Sequence, residues 1–336
     1  MKERSAFFDN AKILLILLVV SGHAMELFNG HIISTLYKLI YLFHMPAFCF
    51  IVGYFSKKIR PSQIGALFFQ YMLFQTLYIL FTVFVLGNEN THMQYTTPYW
   101  LLWFSLAPII WKLSSPIFAN IKPSAAIILS SVFALAAGFD NTIGYNASLS
   151  RIIVFFPFFL AGYYFTEKHA ECLNHTAAKI KLFLIPSSLL VFIISFIVLY
   201  FQTNLKNNYF YHAASYSSTG TNIFIRAIIM MWGAVLTFCF FALVPKRKLF
   251  ITQMGSRTIQ AYLLHGFAIR LLQKYNVASY ASLAPQKLLF FFAVLCFTVL
   301  LLTKPIQLIF APLSDPAKFI IKIKNKASVR KKNTTG

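Results

Sequence analysis

Apolar stretches of about 20 residues recur along the whole sequence, and they restrict the possible folds more than any other feature. A membrane-spanning helix needs about 20 mostly apolar residues, with a range of about 17 to 25. Of the 336 residues, 58% are hydrophobic and 11% are charged, whereas a soluble domain of this length needs far more polar surface. The mean hydropathy of +0.68 agrees. The sequence therefore predicts an all-α polytopic membrane protein.

Ten stretches have the length and composition of a spanning helix. They cover residues 8–28, 33–56, 63–86, 98–118, 124–140, 151–166, 180–201, 222–244, 257–274 and 287–312. The fifth, sixth and ninth are short or interrupted. The connections are about 20 residues or shorter, so they leave no room for a separate soluble catalytic domain. We expect a membrane-embedded domain over residues 1–312, with any chemistry placed within or between its helices.

Lysine and arginine are concentrated in alternate connections, as the positive-inside rule expects of cytoplasmic loops. The odd-numbered connections contain only Lys206, whereas the even-numbered ones contain Lys57, Lys58, Arg60, Lys112, Lys122, Lys168, Lys179, Lys246, Arg247 and Lys248. Both termini are then cytoplasmic, residues 313–336 form a basic tail that faces the lipids of the inner leaflet, and the protein is a multi-pass protein of the cell membrane. This distribution explains the net charge of +22 without nucleic acid as a partner.

The first span contains FFDNAKILLILLVVSGHAMELF, from Phe7 to Phe28, and has four ionisable residues on one side. At about 100° per residue, Lys12 and His23 project within roughly 20° of each other on a helix. Asp9 precedes Lys12 by three residues and Glu26 follows His23 by three, so both share this face. Ionisable groups at membrane depth cost about 2.5 to 3.5 kcal/mol each and rarely occur without a partner or a task. The first helix is therefore the first candidate site.

Glu26 lies one helical turn after His23 and is expected to pair with it. A carboxylate beside an imidazole fixes the tautomer of the ring and raises its basicity, which prepares a general base. A polar pair that anchors helix packing is the alternative. Lys12, next to Asp9, is either a lysine that extends to the inner interface or a ligand for the phosphates or pantetheine arm of a cytoplasmic cofactor.

Other ionisable residues within the spans are further candidates. His44 reaches mid-membrane depth from the outer end of the second span and could approach His23, with a helix–helix hydrogen bond as the alternative. Arg226 and His265 lie inside later spans. Arg151 opens the sixth span near the outer face, where it would meet a substrate or a lipid headgroup.

Several signals of other chemistries are missing. The sequence has no GxxxxGK[ST], HExxH or GxSxG motif and no acidic cluster, which disfavours an ATPase, a zinc protease, an α/β-hydrolase and a metal-dependent glycosyltransferase. Cys49, Cys172, Cys239 and Cys296 have no metal-ligand spacing, and no disulfide framework is indicated. We therefore expect a metal-free site based on imidazole.

Five segments resemble one known family. FFDNAKILLILLVVSGH resembles the opening of the acyltransferase 3 membrane proteins, particularly their fucose 4-O-acetylase-like branch, in which a basic residue precedes a histidine by eleven positions. FHMPAFCFIVGYF, WLLWFSLAPIIW, FPFFLAGYYF and YLLHG resemble later helices of this family in the same order. The resemblance therefore extends over nearly the whole chain.

The resemblance implies an enzyme that transfers an acyl group, usually acetyl from acetyl-CoA, to hydroxyls of cell-envelope carbohydrates. The family's catalytic histidine corresponds to His23, and the basic residue associated with the acyl donor corresponds to Lys12, where many relatives have arginine. Asp9 would help to hold CoA, Glu26 would orient the catalytic imidazole, and His44 could stabilise the oxyanion. His23 would act either as a base or as an acyl relay.

Three more residues, Arg151, Arg226 and His265, are candidates for binding the carbohydrate. Two other functions fit the same chain. A transporter or flippase for a glycan or lipid-linked sugar would use His23 and Glu26 as a proton relay and would not consume acetyl-CoA. A non-catalytic sensor would tolerate the loss of His23, but it gives no reason for the cost of aligned polar residues in a spanning helix.

Overall fold

The computed structural model describes residues 5–88, 93–169 and 178–314, and these residues form helices and connecting segments without a β-strand. The predicted all-α architecture is confirmed. The helices in chain order are α1 (Ala6–Met25), α2 (His31–Tyr54), α3 (Pro61–Leu80), α4 (Trp103–Phe118), α5 (Pro123–Ala136), α6 (Leu149–Tyr164), α7 (Ala178–Phe201), α8 (Ile223–Leu243), α9 (Thr258–Lys274), α10 (Ala284–Leu301) and α11 (Lys304–Ser314), with a short helical turn at Tyr216–Thr219 before α8. Cys172 and the predicted tail from residue 315 onward lie outside the described residues.

Eight helical stretches within the described ranges are long and apolar enough to cross a membrane. They are Ala6–Met25, His31–Tyr54, Pro61–Val85, Trp100–Phe118, Asn146–Tyr164, Leu182–Phe201, Ile223–Leu243 and Ala284–Leu301. The predicted multi-pass membrane protein is confirmed. The fifth and ninth predicted spans correspond to shorter helices, α5 with 14 residues and α9 with 17. The count of ten spans and the cytoplasmic termini therefore stay predictions.

The prediction of a single spanning helix over residues 287–312 is wrong. The chain forms α10 and α11 there, with a break after Leu301. Pro305 lies in the first turn of α11, where its missing N–H is tolerated, and it cannot continue the preceding helix. The amide of Gln260 on α9 donates hydrogen bonds to the carbonyls of Leu301 and Thr303 at the break. Because Pro305 has no N–H, the Leu301 carbonyl lacks the usual helical donor four residues on.

Helices α2 and α6 pack more extensively than any other helix pair in the part of the chain that the structure describes. Two glycines allow this approach. A Cβ atom on Gly53 would overlap the carbonyl oxygen of Phe159, and a Cβ atom on Gly162 would overlap the carbonyl oxygen of Phe50. The two backbones are therefore in direct contact, as small residues permit between membrane helices.

Helix α2 remains helical through Pro46, although this residue has no N–H for the carbonyl of Leu42. Helix α8 packs against this position. Gly233 of α8 packs directly against the Leu42 carbonyl, and the Thr237 hydroxyl donates to the carbonyl of Phe43 at 3.4 Å. A neighbouring helix thus stabilises the proline position, as expected within a membrane.

Helices α7 and α10 have the most exposed apolar surfaces among the spanning stretches. Leu182, Phe183 and Leu190 on α7 are more than half exposed, as are Leu288 and Leu289 on α10. These faces suit contact with lipid tails. Helices α1, α2, α4 and α6 contribute instead to the interior, where the ionisable side chains lie.

Candidate active site

A cavity of about 1140 Å³ lies between α1, α2, α3, α4, α6 and α9. Lys12 and Lys112 line its end on the predicted cytoplasmic side. Tyr145 and Arg151 line the end on the predicted outer side, and His23 lies between the two. The volume exceeds the range of about 300–1,000 Å³ that is usual for a small-molecule site. One cavity therefore connects the cationic inner end of α1 with the predicted outer side.

His23 is fixed in this cavity through one ring nitrogen. Its Nδ1 lies 3.0 Å from Oε1 of Glu26 and 3.0 Å from the hydroxyl of Tyr41. Because a carboxylate only accepts hydrogen bonds, the neutral ring carries its proton on Nδ1 and its free lone pair on Nε2. No residue in the described ranges forms a hydrogen bond with Nε2. This nitrogen is therefore available to take a proton from a molecule in the cavity.

Three tyrosines extend the hydrogen-bond network from Glu26. Its Oε1 accepts from the hydroxyls of Tyr41 at 2.8 Å and Tyr37 at 3.1 Å. The hydroxyl of Tyr211 lies 2.7 Å from that of Tyr37 and donates to it, since Tyr37 donates to Glu26. The carboxylate therefore accepts several donors at one oxygen, which holds it against His23.

Tyr37 and Tyr41 were not among the site residues predicted from the sequence. Both lie on α2, and His44 follows Tyr41 by three residues, so one face of α2 presents three polar rings. This spacing was the feature of the sequence that could have indicated a polar site on α2. Tyrosine is also common at membrane interfaces, however, and only the packing of α2 against α1 brings these hydroxyls to Glu26.

Two aromatic rings flank His23. The ring of Trp100 lies edge-on with centroids 4.6 Å apart, and the ring of His265 is stacked at 5.4 Å. Trp100 has φ +33°, a left-handed conformation that a bulky residue rarely adopts, and the guanidinium of Arg270 lies 4.3 Å from its ring centroid. Such backbone strain is concentrated at functional sites, where the surrounding structure maintains it.

His44 lines the cavity, and its ring packs 4.7 Å from that of Tyr41. Its Nδ1 donates to the carbonyl of Ile40 at 2.8 Å, so Nε2 of the neutral ring is an acceptor. The predicted oxyanion donation by His44 therefore requires the protonated ring. His265 likewise donates from Nδ1 to the carbonyl of Ala261 at 2.9 Å. It is fully buried beside His23 and does not line the cavity, so its position does not support the predicted binding of substrate.

Lys12 and Asp9 form an ion pair of 2.7 Å, as their spacing predicts. Lys12 lines the cavity, and Asn10, which lies between Asp9 and Lys12 in the sequence, anchors its mouth. The amide of Asn10 donates to the carbonyl of Pro245 at 2.8 Å and accepts from the hydroxyl of Thr252 at 2.7 Å. The connection between α8 and α9 is thereby tied to the beginning of α1.

The two arginines predicted to bind substrate have different surroundings. Arg151 lines the cavity, and its Nε donates to the backbone carbonyl of Tyr211 at 3.3 Å. Arg226 does not line the cavity. Its guanidinium donates to the carbonyls of Ala134 at 3.3 Å and Ala214 at 2.8 Å, which ties α8 to α5 and to the outer connection. The position of Arg226 thus supports a structural role and not the predicted contact with substrate.

The described residues include no group of three or more His, Cys, Asp or Glu side chains that could hold a metal ion. The expectation of a metal-free site stays a prediction. The polar groups that line the cavity are imidazoles, a carboxylate, hydroxyls, amides and cations. With a free imidazole nitrogen beside a fixed carboxylate, this arrangement can perform acid–base chemistry.

The chain is similar to known proteins over most of its length. The profile of an acyltransferase family, described as an acyltransferase domain, matches residues 5–303. The chain is 26% identical to the nodulation protein NolL of Sinorhizobium fredii (strain NBRC 101917 / NGR234) over 296 residues, which cover 80% of this chain and 79% of that protein. No solved structure matches the chain significantly. All residues of the cavity between Lys12 and Tyr262 lie within the matched range.

Proposed function

The chain belongs to the acyltransferase 3 family of membrane O-acyltransferases, and we propose on this basis that it transfers an acetyl group from cytoplasmic acetyl-CoA to a hydroxyl of a cell-envelope carbohydrate. One observation supports the proposal above all. His23 lies in a cavity that extends from Lys12 to Arg151, and Glu26 holds its Nδ1. A base in this position can act on molecules that enter from opposite sides of the membrane.

In the proposed reaction, Nε2 of His23 removes the proton of the sugar hydroxyl while the hydroxyl oxygen attacks the carbonyl carbon of the thioester. The carbon–sulfur bond breaks, and the imidazolium returns the proton to the sulfur of CoA. His23 is then neutral again. Glu26 stabilises the transient imidazolium and keeps the other proton on Nδ1, which is the role of the carboxylate in other imidazole-based sites.

The size of the cavity favours direct transfer. At about 1140 Å³ it exceeds the usual volume of a site for one ligand, so a thioester and a sugar can occupy it together. We therefore assign His23 as a base that acts in one ternary complex and not as an acyl relay. Labelled acetyl-histidine trapped in the absence of acceptor would reverse this assignment.

The end of the cavity at Lys12 suits the acyl donor. Lys12 and His23 are about 16 Å apart along α1, at 1.5 Å per residue, and the flexible pantetheine arm of CoA can bridge such a separation. Lys12 and Lys112 supply positive charge for the phosphates of CoA. The ion pair with Asp9 holds Lys12 in place.

The proposal is tested by the release of free thiol from acetyl-CoA in lipid nanodiscs that contain the purified protein and receive envelope carbohydrate. The acetyltransferase is expected to release thiol in proportion to the acetyl groups found on the carbohydrate. A glycan transporter with His23 and Glu26 as its proton relay would release none. Folded protein that leaves acetyl-CoA intact in the presence of acceptor would therefore contradict the proposal.

Tyr41→Phe is expected to lower kcat for acyl transfer by about tenfold or more. The substitution removes one hydrogen bond to the charged Glu26, and such bonds contribute about 1.5–3 kcal/mol. The KM for acetyl-CoA should stay unchanged, because Tyr41 does not lie at the donor end. Tyr275→Phe, at a position 64% exposed, is the matched control and should retain full activity. An unchanged kcat in Tyr41→Phe would contradict the assigned role.

A further inference from the structure

Arg151 places a positive charge at the outer end of the cavity. Its Cζ lies 5.5 Å from the ring centroid of Trp103 and 5.9 Å from that of Tyr145, so two rings hold the guanidinium. Its Nε donates to the backbone of Tyr211. The Nη groups form no hydrogen bond with any residue that the structure describes, which leaves their N–H donors for a bound molecule.

This charge has no protein carboxylate as a partner within residues 5–88, 93–169 and 178–314. Among the residues that line the cavity, Glu26 is acidic, but its Oε1 already accepts from His23, Tyr37 and Tyr41. An arginine is always charged in proteins, and a partly buried charge without a partner is unfavourable. An anion supplied by a ligand would satisfy it.

The surroundings of Arg151 are electropositive. Burial, together with the positive charges of Arg226 and Arg151, lowers the pKa of His212 to about 3. Asp140, in the connection before α6, accepts hydrogen bonds from the backbone and the hydroxyl of Thr142 at 2.8 and 2.7 Å and is thus engaged in its own turn. The outer end of the cavity therefore attracts anions and repels further cations.

We propose that the acceptor is an acidic carbohydrate and that Arg151 binds its carboxylate or phosphate group. This proposal rests on the proposed transfer of an acyl group to a carbohydrate. The planar fork of the guanidinium matches the paired oxygens of a carboxylate or phosphate. The rings of Trp103 and Tyr145 offer apolar faces to the sugar beside the acidic group.

A chain of hydrogen bonds connects this anion site with the catalytic pair. The backbone carbonyl of Tyr211 accepts from Arg151, and its hydroxyl donates to Tyr37. Tyr37 in turn donates to Glu26, which holds His23. Because these groups are mutually fixed, an acidic group bound at Arg151 sets the position of the sugar relative to the base.

The test is calorimetric titration of the full-length protein in nanodiscs, without acetyl-CoA. Methyl β-D-glucuronide and methyl β-D-glucoside are the probes, since they differ only in the carboxylate. Wild-type protein is expected to bind the glucuronide at least about tenfold more tightly, the effect of a hydrogen-bonded charge pair. Arg151→Gln should remove the preference. Lys206→Gln, which removes the same charge from an exposed outer connection, should retain it.

Equal binding of both probes by wild-type protein, or a preference that persists in Arg151→Gln, would overturn the proposal. The proposal would also be overturned if inorganic phosphate bound as tightly as glucose 6-phosphate. The site would then bind a free anion or a lipid headgroup without recognising the sugar. Arg151→Lys keeps the positive charge but lacks the planar guanidinium, so we expect its preference for the glucuronide to lie between those of wild-type protein and Arg151→Gln. This variant tests the proposal if Arg151→Gln does not fold. Binding requires no acyl transfer, so failure here is distinct from failure of the thiol-release test.

Discussion

His23→Ala is expected to lower kcat/KM for acetyl transfer by about a hundredfold to ten-thousandfold, the range that positioned general bases contribute. No other imidazole in the described part of the chain combines a nitrogen free for the cavity with a carboxylate at the opposite nitrogen. The rate of thiol release in nanodiscs, measured across acetyl-CoA and acceptor concentrations, gives this ratio. Glu26→Gln should cause a smaller loss, because it preserves the shape of the site but removes the charge that stabilises the imidazolium.

His31→Ala is the control for this experiment. His31 lies at the outer end of α2, is exposed, and forms a hydrogen bond with the carbonyl of Tyr200 at 2.8 Å, away from the cavity. It should retain wild-type activity. Since His23 packs against Trp100 and His265, the thermal unfolding midpoint of His23→Ala must be compared with that of wild-type protein. Folded His23→Ala protein with more than about a tenth of wild-type activity would contradict the assignment of the base.

Gly53→Ala and Gly162→Ala are expected to cause the largest losses of stability. Each new Cβ atom would overlap a backbone carbonyl oxygen, of Phe159 or Phe50 respectively, and a backbone cannot rotate away as a side chain can. Helices α2 and α6 would have to separate. Overpacking of a well-packed interior costs about 1–3 kcal/mol and sometimes more. We expect each variant to lose free energy of unfolding at or above the upper value of this range. The yield of monodisperse protein and its thermal unfolding midpoint measure the effect.

Gly65→Ala on α3 is the matched substitution. Nothing lies within 4 Å of a Cβ atom at this position, so the variant should be as stable as wild-type protein or slightly more stable, since alanine is favoured over glycine in helices by about 1 kcal/mol. A wild-type unfolding midpoint for Gly53→Ala would show that α2 and α6 do not pack as the structure has them.

Much of the fold was predictable because apolar length determines membrane helices. The first two spans lie within a few residues of the predicted positions, as do the third and eighth. The break after Leu301 was harder to predict from the sequence. Apolar residues resume after Thr303, Lys304 and Pro305, so the region was interpreted as one span, and the hydrogen bonds at the break come from Gln260, which is more than 40 residues away in the sequence.

The site was predictable where one helix contains it. The polar stripe of α1 follows from helical periodicity, and the pairs of Asp9 with Lys12 and of His23 with Glu26 lie where their spacing places them. Contacts between helices could not be predicted from the sequence in the same way. Tyr41 reaches Glu26 only through the packing of α2 on α1.

Buried arginines illustrate the same distinction. Arg151 and Arg226 look alike in the sequence, since each is a lone cation near the outer end of an apolar span. In the structure, the carbonyls of Ala134 and Ala214 satisfy Arg226, whereas the Nη groups of Arg151 have no partner in the described ranges. Sequence alone does not show which backbone carbonyls are free to accept a hydrogen bond.

The alternatives raised by the sequence were a transporter and a sensor. Membership of the acyltransferase 3 family identifies an O-acyltransferase. The cavity that extends from Lys12 to Arg151 is consistent with the proposal that donor and acceptor arrive from opposite sides. We therefore propose that the acetyl group passes His23 on its way from the cytoplasmic side to an outer carbohydrate.

The measurement that tests this claim most directly uses sealed membrane vesicles with the cytoplasmic face outward and acceptor carbohydrate enclosed. Radiolabelled acetyl-CoA is added outside, and label on the enclosed carbohydrate is measured for wild-type protein and for His23→Ala. We expect label on the enclosed carbohydrate with wild-type protein and none above background with His23→Ala. Equal label with both proteins, or intact acetyl-CoA beside folded wild-type protein and acceptor, would contradict it.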